Sequence, residues 1–202
     1  MNGISTQVGF LQKSLITRYV LSASGGQYVS LPDKNITNST TITFIVKCNS
    51  DVSQNIVASA SANNRVFIDP SGVSFQLNGT ATAINHLTTI TDWHRYDLIR
   101  SGSILTLKVD GVVTGSAGLG TASSSEDYTI LAKQSAGSII QAFSGQMARV
   151  AFNYDERNYL LDSTSGTTAV DSGTDGQNGT LQSGASFVLT SDYPKAIDDL
   201  TP

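Results

Sequence analysis

The segment Trp93-His94-Arg95-Tyr96-Asp97-Leu98-Ile99-Arg100-Ser101-Gly102-Ser103-Ile104-Leu105-Thr106-Leu107-Lys108-Val109-Asp110-Gly111 constrains the fold more than any other part of the chain. It reads as two strands joined by a tight turn. Tyr96 and Leu98 fall on one face of the first strand, and Leu105, Leu107 and Val109 on one face of the second, the period-two pattern of half-buried strands. Ser101-Gly102-Ser103 sets their register, and a slip of one residue would turn every apolar side chain to water. Asp110-Gly111 is a type I′ signal that returns the chain into Val112-Val113. A hairpin of this kind needs a second apolar layer to close against.

The rest of the chain repeats the theme in short runs. Tyr19–Ser22 and Tyr28–Leu31 flank Gly25-Gly26 and read as a hairpin that Pro32-Asp33 ends. From Thr40 to Cys48, Ile42, Phe44 and Val46 alternate with polar residues. Ile45 breaks the alternation and predicts a strand covered on both faces. Runs at 55–59, 65–69 and 73–77 follow, with Asp69-Pro70-Ser71-Gly72 as a β-turn and Asn78-Gly79 as a further hairpin signal. Tyr128–Leu131 and Gln146–Phe152 complete a set of short strands with the spacing of a sandwich or barrel. Glu126 falls in a polar loop, and Tyr154–Leu161 is the one stretch suited to a helical turn. For a chain of 202 residues, this predicts one all-β domain over residues 19–153, an N-terminal arm over 1–18 and a C-terminal extension over 154–202 partly packed on it.

Charge excludes some functions. The charged fraction is 14% and the formal net charge is −4, with Lys and Arg scattered, so no field attracts phosphate and no nucleic-acid role is expected. No apolar run is long enough to span a bilayer, and no secretory leader is evident, which predicts no membrane insertion and assembly in a cytoplasm. Cys48 is the one cysteine; within Ile42–Cys48 it reads as a small buried hydrophobe. Sequons begin at Asn35, Asn38, Asn78 and Asn178, as a chain rich in these residues produces by chance. No Gly-x-Ser-x-Gly elbow surrounds a serine, and His86 and His94 lack cysteine or carboxylate neighbours at zinc-ligand spacing. His94 is read as a structural sheet residue and Asp110 as a turn residue, so no catalytic residue is assigned.

The Trp93–Gly111 pattern resembles the central hairpin of laminin G and concanavalin A-like jelly rolls. Gly26-Gln27-Tyr28-Val29-Ser30-Leu31-Pro32 is similar to the first core strand of those domains, and Phe143-Ser144-Gly145-Gln146-Met147-Ala148-Arg149-Val150 to their closing strand. Leu161–Gly173 resembles a phrase that in the family precedes the first core strand, whereas here it follows the last. The resemblance implies a two-sheet antiparallel jelly-roll sandwich used for binding. Related glucanases carry Glu-x-Asp-x-x-Glu; with Glu126 and Glu156 as the only glutamates, neither in that motif, that chemistry is not carried over.

The resemblance also implies calcium as the metal to consider, with Asp171, Asp175 and Asn178 as candidate ligands. The same Asp171–Gly179 stretch equally reads as ordinary turns, and no other cofactor is implied. Candidate glycan-binding aromatics are Tyr154, Tyr159 and Tyr193, which alternatively pack in the core. The Ser/Thr/Gly/Asn-rich composition resembles concanavalin A-like modules of bacteriophage virion proteins. This implies a non-enzymatic capsid, tail or baseplate component, assembled in the host cytoplasm as a homo-oligomer or in many copies. It would dock on other virion proteins through residues 1–18 and bind a host-surface glycan. A lectin module unrelated to a virion and a degenerate glycoside hydrolase are the alternatives.

Overall fold

Alternating apolar faces must close against one another, and in the computed structural model they do so as two antiparallel sheets packed into a jelly-roll sandwich. The structure describes residues 15–59, 61, 63–86, 88–135, 138–154 and 156–198, without the side chains of 133–141. The first strands are β1 (Leu15–Ser24), β2 (Tyr28–Ile36), β3 (Thr41–Cys48), β4 (Gln54–Ser59), β5 (Arg65–Asp69) and β6 (Gly72–Leu77). They are followed by β7 (Thr80–Asn85), β8 (His94–Ser101), β9 (Ile104–Val109), β10 (Val112–Gly118), β11 (Ser124–Ile130) and β12 (Ala132–Ser135). The last are β13 (Ser138–Ala142), β14 (Ser144–Phe152), β15 (Arg157–Tyr159), β16 (Thr168–Ala169), β17 (Gly179–Gln182) and β18 (Ser186–Pro194), after which Lys195–Ile197 forms a 3₁₀ turn. No helix among the described residues is long and apolar enough to cross a membrane.

Sheet A runs β10-β9-β8-β3-β14-β1-β18, with β15 beside β1 on the same edge of β14. Sheet B runs β16-β17-β2-β11-β4-β5-β6-β7, and β12-β13 forms a separate ribbon. Inward residues of both sheets share one core, in which Phe44 stacks on Tyr96 at 5.0 Å and which holds Leu98 and Leu107 of sheet A together with Val29, Ile56 and Val66 of sheet B. Ile45 points the other way. On the outer face of sheet A it joins Val20, Trp93, Ala148, Tyr193 and Ile197 in a second apolar cluster, so β3 is covered on both sides. Cys48 is buried at 1% exposure; burial, with the Asp51 charge beside it, pushes its thiol up to about 12.

The local turns agree with their sequence signals. Asn78-Gly79 and Asp110-Gly111 have both residues at positive φ, as type I′ turns require. Asp69 Oδ1 accepts the N–H groups of Ser71 (2.8 Å) and Gly72 (3.0 Å), bracing the Asp-Pro-Ser-Gly turn.

Longer connections differ from expectation. The segments around Gly25-Gly26 do not form a hairpin: β1 lies in sheet A and β2 in sheet B, so that Leu21 and Val29 enter the same core from different sheets. The described residues of 154–161 form no helical turn; Asn153 and Tyr154 take positive φ and precede β15. Glu126 sits inside β11, not in a loop. Of the predicted arm, residues 1–14 lie outside the described residues, and Leu15–Arg18 are the start of β1. The segment from 154 onward supplies strands to both sheets, β17 pairing with β2 and β18 with β1.

Candidate functional site

The alternation of β2 places Val29 and Leu31 in the core and Ser30 on the outer face of sheet B. Ser30 is flanked in register by Thr180 of β17 and Thr129 of β11, so three hydroxyl-bearing residues form a row across three strands. Beyond this row Pro32 has no N–H to give the ladder. There the pairing shifts: Glu126 opposes Lys34 and Tyr128 opposes Leu31, so Pro32 and Asp33 together face Asp127. Such a bulge bends the strand and re-aims side chains. Asp127 emerges exposed beside the row. Gly179 brings β17 close, since a Cβ there would stand 2.7 Å from Leu31 Cδ2 and 2.8 Å from Val29 Cγ1. The result is an open groove of about 370 Å³ lined by Ser30, Pro32, Asp127, Thr129, Asn178 and Thr180.

One wall is held by buried charge. Arg157 donates from Nε to Asp175 (2.9 Å), from one terminal nitrogen to the Pro32 carbonyl (2.8 Å) and from the other to the Asp33 carbonyl (2.6 Å). The Lys34 ammonium, 4% exposed, meets Glu156 and lies 3.8 Å from Asp175. That ammonium, with an Asn153 hydrogen bond, holds the Glu156 carboxyl below its usual range. Asp171 Oδ1 accepts the N–H groups of Asn158 (2.7 Å) and Gly173 (2.9 Å), Oδ2 accepts that of Gln177 (2.9 Å), and the Asp171 N–H is taken by Asn178 Oδ1 (2.9 Å).

These bonds answer the calcium expectation. The oxygens of Asp171 already accept backbone donors, Asp175 neutralises Arg157 and Lys34, and Asn178 Oδ1 caps Asp171. The three residues therefore do not fit a calcium ligand set. Among the described residues no group of three His, Cys, Asp or Glu side chains is placed to hold a metal.

The aromatic candidates separate. Tyr159 and Tyr193 are both fully buried, so neither offers a ring to a glycan. Tyr159 donates to the Gln177 carbonyl (2.6 Å); Tyr193 donates to Asp198 (2.6 Å) and packs edge-on against Trp93 at 5.0 Å. Tyr154 is partly buried near Asp97 and Arg95 and does not line the groove. His94 Nδ1 meets Asp110 Oδ2 at 2.7 Å, while Asp110 Oδ1 takes the Arg95 N–H at 2.9 Å, so both residues lock the central hairpin. Sequence reasoning missed Ser30, Asp127, Thr129 and Thr180. The available signals were the alternation of Tyr28–Leu31, which turns Ser30 outward, and Pro32, which breaks the ladder.

Two other cavities are bridged by protein groups. One, about 460 Å³, is lined by Arg18, which is bound to Asp198 (3.0 Å) and faces Asp162 at 3.7 Å. Another, near Trp93, contains Asp192, which receives the Trp93 indole N–H (3.2 Å), the Thr190 hydroxyl and the Lys47 ammonium. Burial opposes ionisation of Asp192, but these donors outweigh it and hold its pKa near 2, against 3.8 ordinarily. A lowered folded-state pKa contributes stability that is present above the unfolded pKa and is lost as pH falls through the folded one. Urea midpoints are thus expected to drop between about pH 4 and pH 2. The Asp192→Asn variant, less stable at neutral pH, should converge on the wild type at the acid end; a constant difference across that window would refute the assignment.

No protein-family model matches the chain, and no curated protein matches it. Solved structures do. A candidate carbohydrate-binding protein of Bacteroides ovatus aligns at 15% identity and TM-score 0.66, over 88% of this chain and 60% of that one. The CBM40 module of a Ruminococcus gnavus IT-sialidase aligns at 11% identity and TM-score 0.51, over 68% and 90%. Mouse laminin α1 domains LG4-5 align at 16% identity and TM-score 0.53, over 68% and 41%. The chain thus spans about three fifths of the Bacteroides protein. At such identities the likeness concerns the fold: the chain has the concanavalin A-like, laminin G-like jelly-roll sandwich found among carbohydrate-binding modules.

Proposed function

We propose that the chain is a non-catalytic, lectin-like module that binds a glycan in the groove over β2, β11 and β17. The observation that carries this reading is the Thr180–Ser30 hydroxyl pair with Asp127 and Asn178 beside it, over a floor formed by Thr129, whose own hydroxyl is donated to the Ala58 (3.2 Å) and Ala132 (2.6 Å) carbonyls. Hydroxyl, amide and carboxylate groups exchange hydrogen bonds with sugar hydroxyls in place of water, and an open groove lets a chain run past both ends. Glycoside hydrolysis needs two carboxyl groups flanking one bond. Among the described lining residues Asp127 is the one carboxylate, which disfavours the degenerate-hydrolase alternative. The carbohydrate-binding descriptions of the Bacteroides and Ruminococcus proteins support the same reading.

Thr180 is exposed on β17, and the Thr180→Trp variant fills the groove from its wall without entering the core. Its affinity for any glycan bound by the wild type is expected to fall about tenfold or more, with an unchanged melting temperature. Unaltered affinity in that variant, or no glycan bound by the wild type across an array, would overturn the proposal.

The finer reading sets this module on a bacteriophage particle, in many copies and docked through residues 1–18, with a host-surface glycan as its ligand. Its support is the resemblance to virion modules and a sandwich held together without a disulfide, Cys48 being a free buried thiol. Mass spectrometry of purified particles is expected to find the chain; its absence would remove the virion setting and leave the lectin reading.

A further inference from the structure

We infer that the groove selects a glucosamine-type amino sugar, a glycan bearing protonated amines, with Asp127 as the partner of one ammonium group. The inference rests on the glycan-binding reading above and concerns which glycan the groove takes. Its basis is the distribution of charge around the groove. Asp127 is exposed at the bulge, lines the groove and has no side-chain hydrogen bond or ion pair among the described residues. No described lining side chain is cationic.

The cations nearest this wall are committed elsewhere. Arg157, 6% exposed, is consumed by Asp175 and the carbonyls of Pro32 and Asp33. Lys34 is consumed by Glu156 and Asp175. Two more carboxylates lie next in sequence to groove residues. Among the described residues the Asp33 carboxylate accepts only the Ser125 hydroxyl (3.1 Å). Burial opposes ionisation of Glu126, but hydrogen bonds from the Ser61 and Ser59 hydroxyls, the Ser61 N–H and the Asn64 amide outweigh it and hold its carboxyl below the usual range. A uronic or sialic acid carboxylate entering the groove would meet negative charge with no counter-ion, and like-charge juxtaposition is costly. A neutral sugar would use Ser30, Thr180 and Asn178 alone. An ammonium on the same ring would use these and Asp127 as well.

The test titrates the full chain, at mildly acidic pH, with three oligosaccharides of equal length: chitosan (cationic), chitin (neutral, N-acetylated) and oligogalacturonate (acidic). Chitosan is expected to bind about fivefold tighter than chitin at low salt, the upper range for a solvated ion pair. That preference should vanish at high salt, where charges are screened, and in the Asp127→Asn variant. Oligogalacturonate should not bind. Thr180→Trp should abolish chitosan binding, which adsorption driven by net charge alone would not show. Chitin or oligogalacturonate bound as tightly as chitosan, or a chitosan preference that survives Asp127→Asn, overturns the amino-sugar inference and leaves the glycan-binding reading standing. Failure of all three to bind, with binding of other glycans blocked by Thr180→Trp, likewise overturns only the inference. Binding insensitive to Thr180→Trp overturns the groove itself.

Discussion

Replacing Gly145 with alanine is expected to destabilise the protein by about 3 kcal/mol or more, near the limit for a single methyl group forced into a packed site. Gly145 lies in β14, in register with Cys48 of β3 on one side and Ala23 of β1 on the other. Its φ is +156°, and a Cβ would stand 2.3 Å from the Lys47 carbonyl oxygen, 2.9 Å from Cys48 Cα and 2.9 Å from Phe143 Cζ. Two of those atoms are backbone and cannot rotate away. The methyl must therefore push β3 and β14 apart at the centre of sheet A, where the ladder joins the central hairpin to β1 and β18. In a domain of this size such a loss corresponds to a melting point lower by roughly 6–12 °C. Gly118→Ala is the control: Gly118 is also in a strand, but nothing lies within 4 Å of the added carbon, and its effect should stay within about 0.5 kcal/mol. Equal melting temperatures for Gly145→Ala and the wild type would show that the sheet yields there.

What local pattern can specify was legible in the sequence. The Trp93–Gly111 hairpin forms as read, with Tyr96 opposite Val109 and Leu98 opposite Leu107, because alternation and a two-residue turn together fix a register. Ile45 was legible too, since an apolar residue out of phase has to be covered from the other side. Pairings distant in sequence were not. β1 and β2 adjoin a Gly-Gly turn, yet each finds its partners elsewhere, β1 beside β14 and β18 and β2 beside β11 and β17. No local pattern encodes a contact between Ser30 and Thr180, so the hydroxyl row across three strands was invisible although the outward phase of Ser30 was not. The acidic loop misled for a related reason. Its oxygens could be counted, but the donors that satisfy them are main-chain N–H groups of the same loop and of Asn158 in β15, which carry no sequence signature. Tyr159 and Tyr193 were ambiguous because an aromatic near a loop is equally suited to a core, and here both hydroxyls have found buried partners.

Those main-chain bonds make Asp171 the residue on which both loop and groove depend, and Asp171→Ala is expected to cost about 3 kcal/mol. The side chain is 7% exposed and accepts three N–H groups, from Asn158, Gly173 and Gln177. Hydrogen bonds to a carboxylate contribute about 1.5–3 kcal/mol each, but the loop lies at the surface and water can reach part of what is exposed, so the sum is discounted. Asn178 is tied to the Asp171 N–H, and Arg157 and Tyr159 hold the same loop through Asp175 and the Gln177 carbonyl. The loop should therefore loosen without detaching. Glycan affinity is expected to fall about tenfold, because Asn178 leaves its place on the groove wall. Asp171→Asn keeps one oxygen for the donors of Asn158 and Gly173 but turns an amide towards the Gln177 N–H, and should lose about half as much stability. Millimolar calcium or a chelator should change neither the melting temperature nor the affinity, since the carboxylate oxygens already face N–H groups. A melting point raised by calcium would mean that the loop opens to bind the ion. Wild-type glycan affinity in Asp171→Ala would show that the groove wall stands without its brace.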